Sequence, residues 1–116
     1  MSTRATIHFH FPGERAAEAI VYRHHDGYPD GLGKDLKAFV QAVKDQTDDT
    51  RFDDPAYLAA KWIVYDALHH SNAMFEDPPK PLKFLSVGIV RTDPDDIAYR
   101  YHVVCDGTPK ITHEHV

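Results

Sequence analysis

The sequence predicts an α+β fold: an antiparallel sheet of four or five strands in ββααββ order, with two helices packed on one face. Two observations carry this reading. Residues 3–11 and 97–105 alternate apolar and polar side chains with period two, as half-buried strands do, whereas the middle third repeats its apolar residues at helical spacing. The connections between these segments are rich in proline, glycine and aspartate, which mark turns.

In the first strand Ala5, Ile7, Phe9 and Phe11 share one face, while Arg4, Thr6, His8 and His10 share the other. Pro12-Gly13-Glu14-Arg15 reads as a turn, and Ala16 to His25 returns as a second strand, giving an antiparallel hairpin. A glycine-rich loop over 26–33 leads into a helix from about Leu32 to Gln46, with Leu36, Phe39, Val40 and Val43 on its apolar face. The acidic run Asp45 to Asp54 is a connector ending in Asp54-Pro55, an N-cap and first-turn pair. The second helix runs from Pro55 to about His70 and is apolar nearly all round, which predicts burial on more than one side. A loop with three prolines, Ser71 to Pro81, returns to the sheet. Residues 82–91 and 97–105 then read as a second hairpin about Thr92-Asp93-Pro94-Asp95-Asp96, and Ile111 to Val116 as an edge strand or a frayed tail.

The 116 residues suit one domain with one core. A net charge of −5 excludes broad, sequence-independent nucleic-acid binding, which needs a basic excess. No apolar run approaches the roughly 20 residues that span a bilayer, so no membrane partner is expected. The first residues lack the pattern of a signal peptide, and the single cysteine, Cys105, forms no intrachain disulfide. Together these point to a cytoplasmic protein.

Chemistry concentrates in Tyr22-Arg23-His24-His25-Asp26-Gly27-Tyr28-Pro29-Asp30-Gly31-Leu32-Gly33-Lys34. Gly27, Gly31 and Gly33 would let the backbone approach an anion, with Arg23 and Lys34 countering its charge and Tyr28 stacking on it. The spacing matches neither a Walker A loop nor a dinucleotide fingerprint, and a tight strand-to-helix turn accounts for the same glycines. The candidate ligand-binding residues are therefore Arg23, His24, Asp26, Tyr28 and Lys34, and no catalytic residue is assigned. A second polar set, Arg4, His8, His10, Arg100 and His102, falls on the sheet face away from the helices; Arg23 and His25 join it in one of the two possible registers. His8-x-His10 and His113-x-His115 each put two imidazoles on one face, which suits zinc only if further ligands converge. No metal ion or cofactor is assigned from the sequence.

The Ser2-Thr3-Arg4-Ala5-Thr6-Ile7 opening and the Tyr22-Arg23-His24-His25-Asp26-Gly27-Tyr28-Pro29 segment resemble a functionally uncharacterised set of small phage, prophage and bacterial proteins. Those proteins start with a Thr-Arg strand and carry a Tyr-x-His-x-Asp-Gly-Tyr-Pro segment before a helix. The resemblance covers about the first third of the chain and departs at His25, where tryptophan is expected. It implies small-molecule sequestration or interference with a host system, and it supplies no catalytic residue. The expectation is a non-enzymatic binder of a small anionic or nucleotide-like ligand, held near the 23–34 loop at a subunit boundary of a self-associating chain. The alternatives are a small phosphodiester hydrolase using His24 and Asp26, and a homo-oligomeric interaction protein using the polar sheet face and the helix of Trp62.

Overall fold

A computed structural model describes residues 2–70, 76–80 and 82–116. The chain forms β1 (Ala5–His10), β2 (Ala19–Arg23), α1 (Lys34–Gln46), α2 (Pro55–His70), β3 (Val87–Val90), β4 (Tyr99–Val104) and β5 (Lys110–His115), with a single π-type turn, Pro29–Gly33, before α1. The proline loop expected over Ser71 to Pro81 lies partly outside the described residues.

One five-stranded sheet results, in the order β3-β2-β1-β4-β5. The first hairpin forms as expected, with Ile7 opposite Val21. The second does not. β3 pairs with β2 on one side of the sheet, while β4 pairs with β1 on the other, parallel, with Ile7 beside Tyr101. The sheet is therefore mixed, with one parallel pair at its centre, and the C-terminal segment adds the antiparallel edge strand β5. The physical reason lies in residues 91–98. A proline–aspartate turn reads locally as a hairpin, but its carboxylates are held by residues of β1 and β4, which draws the segment across the sheet as a crossover.

Both helices cover the face bearing Ala5, Ile7, Phe9, Val21, Tyr101 and Val103, and Leu36, Phe39, Val43, Leu58 and Trp62 complete the core. Trp62 is fully buried and meets Phe39 edge-on at 5.4 Å. Removing side chains of this size from water supplies about 1.5–3 kcal/mol each. α2 is buried on one side; on the other, Tyr57, Val64 and Leu68 are exposed and line a groove of about 350 Å³ against α1. Asp54 caps α2 as the sequence predicts, its Oδ1 accepting from the Tyr57 N–H at 3.3 Å. No helix among the described residues is long and apolar enough to cross a membrane.

The core also encloses a charge. β2 turns Arg23 toward the helices, where its Nη1 donates to Asp35 of α1 at 2.7 Å and its Nε lies 3.6 Å from Asp66 of α2. Asp66 is 1% exposed and accepts from Ser86 Oγ at 2.7 Å. A buried carboxylate and guanidinium are tolerable only as partners, so removing one is costly even where the pair itself adds little. Asp66→Ala should lower unfolding stability by about 3 kcal/mol, near the low end for a broken buried pair because Asp35 still holds Arg23; urea denaturation measures this. Cys105 is equally enclosed, and burial pushes its thiol up to about 11. It should stay unmodified by a disulfide reagent in the folded protein at pH 8 and react at once in denaturant.

Candidate metal centre

Alternation along β1 sends Thr6, His8 and His10 away from the helices, and alternation along β4 sends Arg100, His102 and Val104 the same way. The parallel register sets Thr6 beside Arg100 and His8 beside His102, and β5 adds Glu114 opposite Arg100. The 91–98 crossover lies on this face. Asp93 Oδ1 accepts from Thr6 Oγ1 at 2.6 Å and lies 2.7 Å from His8 Nε2, while its Oδ2 accepts from Arg100 Nε at 2.5 Å. Arg4 reaches Asp96 at 2.8 Å in the same manner. This face is thus partly roofed, and Thr6 is fully buried.

Three imidazoles meet there. One ring nitrogen from each of His8, His10 and His102 lies within 4.8 Å of the other two. His10 Nε2 is 2.8 Å from His102 Nδ1, and the two rings stack at 5.0 Å. His10 is 6% exposed, and backbone hydrogen bonds at Ala16 and Glu14 favour its charged form without outweighing its burial. Burial, with the neighbouring His102 and His8, lowers the pKa of His10 and so favours the neutral, metal-binding form.

Carboxylates hold the outer sides of this cluster. Asp93 engages Nε2 of His8, and Glu114 lies 3.3 Å from Nε2 of His102. Arg100 donates to both acids and ties them together. Burial opposes ionisation of Asp93, but hydrogen bonds from Thr6, His8 and Arg100 outweigh it and bring its pKa below the ordinary value. The bond to His102 does the same for Glu114, followed by that to Arg100. Histidines that bind metal through one nitrogen usually engage a carboxylate or carbonyl through the other, which fixes the tautomer and ring orientation. His102 has that arrangement, with Nδ1 toward His10 and Nε2 toward Glu114, and His8 meets Asp93 through Nε2. Ligand nitrogens around a tetrahedral zinc ion with bonds of about 2.0–2.1 Å are about 3.3 Å apart, so His10 and His102 need part by only about half an ångström.

The residues singled out in the 23–34 loop are distributed differently. Arg23 points into the core, held by Asp35 and Asp66, and Tyr22 takes the outward position instead. His24 lies on the opposite face from Arg23, its Nδ1 2.8 Å from Tyr22 Oη and 3.4 Å from Arg4 Nε. His25 is exposed beside Ser2 at 3.2 Å. Asp26 sits at the loop's bend with φ 53° and accepts from exposed Tyr28 at 3.3 Å; Lys34 is exposed at the start of α1. Arg23 and His24 therefore face opposite sides of the sheet. His113 and His115 pack on Tyr101 and Tyr99, at 5.6 and 4.8 Å, and form no second cluster among the described residues. Comparison with protein-family models, curated proteins and solved structures finds no match to the chain.

Asp93 and Glu114 join the histidine cluster from segments whose local sequence does not point there. Asp93 reads as turn chemistry and Glu114 as part of a tail; only the sheet order brings them to the histidines. The loop's glycines serve close approach: a Cβ on Gly27 would meet Ala5 Cβ at 2.7 Å, and one on Gly31 would collide with the Asp26 carbonyl. Gly31→Ala should cost about 1–3 kcal/mol, as overpacking does, because the Asp26 carbonyl already accepts from Leu32 at 2.8 Å and is not free to yield. Thermal denaturation tests this, and an unchanged midpoint would refute it.

Proposed function

We propose that this protein binds one divalent transition-metal ion, zinc foremost, through His8, His10 and His102. The carrying observation is the convergence of three ring nitrogens within 4.8 Å, drawn from two strands whose register is fixed by the core on the other face. Imidazole donors suit zinc, copper and nickel and do not suit calcium or magnesium, which take oxygen ligands. The outer carboxylates support the same reading, since they make the inner nitrogens better donors and balance the charge of a dication. The anionic ligand expected from the sequence fits here better than at the 23–34 loop, where Arg23 would have to leave Asp35 and the buried Asp66.

Metal-free protein titrated with zinc in a calorimeter should show a single site, and the folded state should gain about 2.7 kcal/mol at a free zinc concentration one hundred times the dissociation constant. His10→Ala and His102→Ala should each weaken binding by more than the ~10–100-fold typical of losing an outer-shell carboxylate. Absence of a zinc-dependent shift in unfolding, or unchanged affinity in both variants, would overturn the assignment.

A further inference from the structure

The three histidines leave a question about the rest of the coordination sphere. A zinc-like ion prefers four ligands. The two acids nearest the cluster are the obvious internal candidates, and both are already engaged. Asp93 receives Thr6 and Arg100 and touches Nε2 of His8; Glu114 touches Nε2 of His102 and receives Arg100. For either acid to move onto the metal, the oxygen that meets its imidazole would have to release that imidazole while Arg100 holds the other oxygen in place. No other histidine, cysteine or acid joins the cluster among the described residues.

Charge points the same way. Neutral imidazoles leave a bound dication at +2. Asp93 and Glu114 contribute −2 and Arg100 +1, so the centre with its surroundings keeps a net charge of about +1. Access is available as well, because the side chain of His102 is 27% exposed and that of His8 is 14% exposed, while His10 forms the buried floor.

Resting on the metal reading above, we propose that the centre is open: its fourth position is exchangeable, occupied by water and replaceable by a small monoanion. Asp93 and Glu114 act as positioning residues that stay off the metal. Sites of this kind have three protein ligands and a solvent-filled place, whereas structural sites use four protein ligands. The ligand class is therefore a compact anion that binds through one atom, a narrower description than a nucleotide-like molecule.

Cobalt(II) serves as the probe, because its visible spectrum reports both the donor set and any exchange of a ligand. Full-length protein loaded with cobalt should give a four-coordinate band, and sodium azide should shift that band saturably and reversibly, with chloride competing. Glu114→Gln should still bind cobalt, more weakly, and keep the azide response. A cobalt spectrum indifferent to azide would overturn the open position, while failure of cobalt or zinc to bind at all would overturn the metal site itself. If azide response appeared only in Asp93→Asn, the wild-type fourth ligand would be Asp93, which also refutes the proposal.

Discussion

The parallel pairing of β1 with β4 is the constraint on which the other features depend. It lays Ile7 against Tyr101 and Phe9 against Val103 on one face, giving the helices a surface to cover. With side chains alternating at period two, the same register must set Thr6 beside Arg100 and His8 beside His102 on the other face. A slip of one residue would send the histidines into the core and the isoleucine into water, so the hydrophobic effect itself fixes the geometry of the polar cluster. Neither face can be altered without the other.

The buried Arg23 is the second fixed point. It ties β2 to both helices through Asp35 and Asp66, and Ser86 links Asp66 to the approach of β3. Its guanidinium also lies 5.9 Å from the Trp62 ring. Such a group adds little net energy over an apolar replacement, but it allows few alternative arrangements of the elements around it. This explains how a cation in a glycine-rich loop region contributes to architecture: the loop that follows it, bent at Asp26 and pinned by the Gly27 N–H to Thr3 O bond of 2.9 Å, delivers α1 onto the sheet.

Elements were legible in the sequence, and their arrangement was less so. Both helices and the first hairpin follow from periodicity and turn chemistry that act within a few residues, and the Asp54 cap is read directly from its pair with Pro55. The strand order was hidden because Thr92 to Asp96 has the composition of a hairpin turn, and its true partners, Thr6, His8 and Arg4, are distant in the chain. Of the candidate centre, the polar face with His8, His10, Arg100 and His102 was visible from alternation alone. The orientation of Arg23 was not, since either register of β2 leaves a tyrosine or an arginine inside. Asp93 and Glu114 carry no local signal for their role; they acquire it from the crossover and the edge strand.

The central pairing joins residues near the two ends of the chain, with Ala5 opposite Tyr99. Closing so long a loop costs conformational entropy before any contact made across it is gained, so such pairings form late and slow the search for the native state. His8 and His10 lie on one side of that closure and His102 on the other. His102 is therefore apart from His8 and His10 until the closure is made, and a metal ion held by all three, as proposed, would select the completed sheet over its intermediates.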